Sequence, residues 1–178
     1  MKFKTLLFTI LALSLFIGTA FAQIDSMGIA DTLTLTYTNY APSKWVIEAS
    51  LWNDEEIAAF DIPIKYTAGM AKLKVDSVTY TNTRTDYFAQ KYIQIDTTGQ
   101  MLHFGGLAYM GTDKPPLAPG TGAIGHVYLS VWGDKEPGEF VMDTTFFAPS
   151  NKLMLVDRNA KTIVPIVIIK EAVKKDKK

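Results

Sequence analysis

The chain has 178 residues, of which 48% are hydrophobic and 20% charged, and its 18 basic side chains balance its 18 acidic ones. It has no cysteine, which excludes disulfides, lipid attachment at a cysteine, thiolate zinc sites and cysteine nucleophiles and leaves stability to sheet pairing and hydrophobic burial. Balanced charge without a basic stripe also excludes a nucleic-acid binder of the electrostatic kind.

Lys2 and Lys4 make a basic start, Leu6 to Ile17 an apolar run, and Ala20-Phe21-Ala22 a small-x-small cleavage site. Residues 1–22 therefore read as a secretory signal peptide, with Gln23 as the mature start and a secreted product, extracellular or periplasmic. The apolar run is about a dozen residues long, against the roughly 20 of a membrane-crossing helix. Ile163 to Ile169 is shorter and broken by Pro165, so no membrane span is expected. Loss of Lys2 and Lys4 takes the net charge to about −2. What remains is enough for one domain with a core.

Leu33, Leu35 and Tyr37 alternate with Thr32, Thr34, Thr36 and Thr38, the period of a strand with one buried face. Trp45, Ile47, Ala49 and Leu51 share one side of a second strand, which puts Trp45 in the core. Asn53-Asp54-Glu55-Glu56 is a polar turn before a third strand with Phe60, Ile62, Ile64 and Tyr66 inside. In that strand Asp61, Pro63 and Lys65 point the other way, and the missing amide of Pro63 predicts an edge position or a local irregularity. Leu73 and Val75 keep one phase, and Val78 and Tyr80 the opposite one, the signature of a β-bulge. Tyr92 to Asp96 and Met101 to Tyr109 form a hairpin about Thr97-Thr98-Gly99-Gln100. A stiff link with Pro115, Pro116 and Pro119 leads to a strand over Ala123 to Trp132, and two more strands follow near Lys152 to Val156 and Thr162 to Ile169. About nine strands, each with one wet face, point to an all-β sandwich. The Lys-rich tail, 171–178, is expected to be disordered and solvated.

Little in the chain suggests catalysis. His103 and His126 stand in no metal-binding spacing, and His126 falls on the outward phase of its strand. Asp54, Glu55 and Glu56, with Asp61 nearby, offer oxygens of the kind calcium takes, but read better as a solubilising turn. Asp96-Thr97-Thr98 and Asp143-Thr144-Thr145 share a tripeptide that suits strand ends and turns. No Gly-x-Ser-x-Gly elbow, phosphate loop or dinucleotide fingerprint is present. A non-enzyme without cofactor or metal is expected. Binding is better supported, because Trp52, Tyr128 and Trp132 lie on outward phases, where they would anchor a protein interface or stack on sugar rings.

The run Trp45-Val46-Ile47-Glu48-Ala49-Ser50-Leu51-Trp52, a short acidic link and Ile57-Ala58-Ala59-Phe60-Asp61-Ile62-Pro63-Ile64-Lys65-Tyr66 resemble the second and third strands of the cohesin family. Leu73-Lys74-Val75-Asp76-Ser77-Val78 is similar to the short strand that follows. Gly122-Ala123-Ile124-Gly125-His126-Val127-Tyr128-Leu129-Ser130-Val131 is similar to the family's late, glycine-led strand. The resemblance runs from about Asp31 to Ile169. It implies a nine-stranded jelly-roll sandwich, related to carbohydrate-binding modules, over residues 23–170, and a non-catalytic module that binds a dockerin-like or other exported protein. In dockerin-binding cohesins an Asn and an Asp two residues apart on the third strand bond the dockerin. Asp61 matches that Asp, and Ala59 stands at the Asn position. The expected contact is the sheet face bearing Asp61 and Lys65. Two other readings remain open: a polysaccharide held by Trp52, Tyr128 and Trp132 with Tyr109 beside them, and a structural subunit of a surface layer.

Overall fold

The computed structural model describes residues 28–108 and 114–172. The expected signal peptide, Tyr109 and residues 173–178 of the expected tail lie outside them. Eleven strands follow in order: β1 (Thr32–Ala41), β2 (Lys44–Asn53), β3 (Ile57–Ala68), β4 (Lys72–Thr79), β5 (Gln90–Asp96), β6 (Met101–Leu107), β7 (Gly120–Trp132), β8 (Phe140–Thr144), β9 (Met154–Asp157), β10 (Thr162–Ile163) and β11 (Ile166–Glu171). One sheet has the order β11-β1-β2-β7-β4 and the other β10-β9-β3-β6-β5, with β8 joined to β3. Among the described residues no helix is long and apolar enough to cross a membrane.

The two inner faces are those that alternation picks out. Leu33, Leu35, Ile47, Leu51, Leu73 and Leu129 of the first sheet meet Phe60, Ile62, Ile64, Tyr66, Leu102 and Phe104 of the second, all fully or almost fully buried. Trp45 is buried as expected and stacks on Phe140, ring centroids 5.5 Å apart. The phase change in β4 is a register shift between Val75 and Ser77. The hairpin of β5 and β6 turns where Gly99 N donates to Asp96 Oδ1 at 2.8 Å and Gln100 takes a φ of 54°. Gln100 also binds the Leu73 backbone, accepting from its N at 2.6 Å and donating to its O at 2.7 Å, so a buried amide ties this turn to the start of β4.

Eleven strands replace the expected nine because Pro165 splits the last segment into β10 and β11, and because β8 is too short to announce itself by alternation. β11 runs parallel to β1 as far as Glu171, opposite Tyr37, so the ordered sheet takes in the first residue assigned to the tail.

Pro63 does not mark an edge: β3 is interior, paired with β6 on one side and with β8 and β9 in turn on the other. Residues 64–68 pair with β8, and 57–61 with β9. The Pro63 carbonyl points to the β8 side, where it accepts from Thr145 N at 3.0 Å. Its absent N–H would point the same way, into the gap between the two partners, where no ladder bond is required.

A second local device fixes the start of β7. Arg84 reaches across the sandwich end and donates to Leu51 O at 3.0 Å, Asn53 Oδ1 at 2.9 Å, Gly120 O at 3.0 Å and Ala118 O at 2.5 Å. Gly122 has a φ of +147°, and a Cβ there would come within 3.0 Å of the Arg84 side chain. The glycine-led strand start is thus what the clamp requires.

Candidate functional site

The outer face of the second sheet is built from alternate residues of four strands. β3 contributes Asp61, Pro63, Lys65 and Thr67, which stand opposite Gly105, His103 and Met101 of β6 and Asp143 and Val141 of β8. Tyr92, Gln94 and Asp96 of β5 complete it. Lys65 is exposed, as the alternation requires.

Asp61 departs from the expected wet face. Its phase is outward, but it is only 4% exposed, and His103 beside it is 5% exposed. The cover is Phe147, in the connection from β8 to β9, whose ring lies 5.7 Å from His103. The Tyr92 ring also packs on the imidazole, at 5.2 Å. That connection is pinned to itself by paired Phe147 and Asn151 backbone bonds of 2.8 and 2.9 Å. His103 Nε2 contacts Asp61 Oδ1 directly. Burial pushes the Asp61 carboxyl above the usual carboxylate range, while the charge and hydrogen bonding of His103 pull it back. Asp61 is therefore largely withdrawn from the face, with its Oδ1 turned to His103. His103 faces outward and is covered.

Three apolar side chains at or beside this face remain in water: Tyr92 at 38%, Val141 at 53% and Phe146, next to the covering Phe147, at 56% exposure. Sequence reasoning did not single them out. Val141 and Phe146 lie in and just after β8, the strand whose alternation is too brief to read, and the adjacent pair Phe146-Phe147 was the available signal.

Trp52, Tyr128 and Trp132, expected to form a sugar platform, lie on the other sheet and do not meet. Trp52 stands opposite Thr121 of β7, and Tyr128 opposite Val46 of β2. Trp132 is eleven residues from Thr121 on the same strand, roughly 36 Å at the strand rise. Trp52 is half-buried and Trp132 is 60% exposed. Tyr128 packs instead on Tyr40, edge to face at 6.2 Å. His126 is half-buried on the outward side, its Nε2 3.5 Å from Glu48 Oε2.

The acidic turn is divided as well. Glu56 pairs with Arg158, Nη1 to Oε2 at 2.6 Å. Asp54 accepts from Ile29 N at 2.9 Å. Asp31, Asp54 and Glu55 bring carboxylate oxygens within 4.8 Å of one another. This group differs from the expected calcium set, for it takes in Asp31 and leaves out Glu56 and Asp61.

No protein-family model and no curated protein sequence matches the chain. Solved structures do. The sixth cohesin of Acetivibrio cellulolyticus scaffoldin B, solved with a dockerin, is similar at a TM-score of 0.55 and 15% identity over 79% of this chain and 99% of its own. The OlpA cohesin of a type I cohesin–dockerin complex from Clostridium thermocellum gives 0.57 and 13% over 80% and 99%. A type II cohesin domain from the Acetivibrio cellulolyticus cellulosome gives 0.54 and 13% over 79% and 91%. The fold is a cohesin-like jelly-roll sandwich.

Proposed function

We propose that the chain is an exported, non-catalytic receptor module that holds another exported protein on the outer face of β8, β3, β6 and β5. Its chief support is the exposure of Val141 and Phe146 in and just after β8, the strand paired with β3 at Lys65, with Tyr92 exposed at the far side of the same face on β5. Large apolar side chains left exposed on one sheet face suit a partner that covers them, with the aromatics as anchors. That two of the similar cohesins were solved with dockerins adds weight.

Recognition at this face differs from the family pattern in its polar part. Ala59 offers no amide, and Asp61 is buried beneath Phe147. Lys65, Asp143 and Asp96 supply the charges around the apolar centre. A partner with a complementary acidic group opposite Lys65 fits best, and a dockerin-like helix pair is one such shape.

The test is affinity capture by the purified protein from an extract of exported proteins, then titration of the captured, purified partner. Lys65→Glu and Phe146→Ala should each weaken it at least tenfold without lowering the melting temperature. Binding that survives both substitutions places the contact elsewhere. Export itself is checked by sequencing the N-terminus of the protein recovered outside the cytoplasm, which should begin at Gln23.

A further inference from the structure

On the opposite face of the sandwich, the β1–β2 turn and strands β4 and β7 border an open cleft of about 610 Å³. Tyr40 and Tyr128 form one corner, with rings at 85° to each other. The turn is fixed to β7 by the bond from Val131 N to Ser43 O at 3.0 Å, so that wall is preset. On the far side the β4 bulge presents Asp76. Its Oδ1 accepts from Ser130 Oγ at 2.9 Å and lies 3.4 Å from Lys74 Nζ. Among the described residues Asp76 Oδ2 takes no hydrogen bond, and Lys44, also in the lining, makes no ion pair.

We propose that this cleft is a saccharide site that seats a pyranose ring of a neutral glycan. The chemistry selects that class. A sugar ring has an apolar C–H face, which stacks on an aromatic ring, and a rim of hydroxyls, which both donate and accept. Tyr128 supplies the platform and Tyr40 the wall. The free oxygen of Asp76 accepts from one hydroxyl, while Lys44 and Lys74 donate to others. A polyanion would need more than two cations set against one carboxylate. An apolar ligand would desolvate Asp76 Oδ2 and the Lys44 ammonium without giving either a partner, which is costly. The site shares Tyr128 with the sugar platform expected from sequence, but it replaces Trp52 and Trp132 with Tyr40 and Asp76. It is independent of the receptor face, which lies on the other sheet.

Cellohexaose, xylohexaose and mannohexaose are titrated separately into the isotopically labelled protein and followed by amide chemical shifts. At least one should give saturable shifts centred on residues 74–77 and 128–131. Tyr40→Ala, at an exposed ring, and Asp76→Asn should each weaken that binding at least tenfold at unchanged melting temperature, and Trp52→Ala should leave it as it was. If no probe perturbs these residues at 20 mM, or if binding persists in Tyr40→Ala and Asp76→Asn, the saccharide site is wrong. Lys65→Glu leaves the saccharide titration unaltered, so the two sites fail separately.

Discussion

The ring of Tyr92 occupies the space above Gly105: a Cβ on Gly105 would lie 2.2 Å from the Tyr92 hydroxyl oxygen. The two residues are cross-strand partners, and the hydroxyl passes over the glycine to donate to Phe60 O at 3.0 Å. Burial pushes the Tyr92 phenol pKa upward, and the nearby Asp61 charge adds to that, so the donor proton is held throughout the physiological range.

Gly105→Ala must therefore displace Tyr92 from His103 and also shift the backbone, because the new Cβ would lie 2.4 Å from Phe60 O. A loss of about 1–3 kcal/mol is expected, as for overpacking of a close-packed site. Thermal denaturation should show a melting temperature lowered by roughly 2–4 °C per kcal/mol for a domain of this size. Unchanged melting would mean that ring and backbone both give way at no cost.

Phe146 and Phe147 are neighbours with opposite exposure, and their alanine variants should separate stability from binding. Phe147→Ala uncovers Asp61 and His103 and removes a buried ring, at a cost of about 3 kcal/mol or more. Phe146→Ala should leave melting unchanged and act only on the partner. Equal melting of the two variants would refute the cover assigned to Phe147.

Asp61 gives a pH dependence of definite sign. Burial holds its folded pKa above the unfolded one, so its contribution to stability is complete below the unfolded value of about 3.9 and is lost as pH rises through the folded value. Melting of the wild type and of Asp61→Asn, compared from about pH 4 to pH 7, should shift in favour of the variant as pH increases. A difference that stays flat across the range would show that the contact with His103 cancels the burial.

Arg84→Ala should cost about 3 kcal/mol, because several carbonyls and the Asn53 amide lose a charged donor together. Chemical denaturation reads this directly. Hydrogen exchange should localise the loss to residues 118–123 and the end of β2, and uniform loss across both sheets would argue against a local clamp.

Most of the sandwich is legible in the sequence, because strands such as β2 alternate over ten residues and leave no other face to bury. β8 is not, since five residues after Pro137-Gly138 carry too few repeats to separate a strand from a loop. The outward phase of Asp61 is legible too, but its cover is not: Phe147 is 86 positions away, and only the fold brings it over β3. Trp52 and Trp132 share an outward phase, yet their separation depends on the register of β2 against β7, which alternation does not specify.

The parallel pairing of β1 with β11 has a mechanical side. Thr32 lies beside Ile166 and Tyr37 beside Glu171, so the chain enters β1 at one pole of the sandwich and leaves β11 at the other. Tension applied between the two ends would draw these strands past each other lengthwise. Every hydrogen bond of that ladder is then strained at once, where an antiparallel terminal pair pulled from a shared end would open one bond at a time. A tether loaded this way resists rupture as a lap joint does, and the first sheet is the part of the molecule that would carry the force.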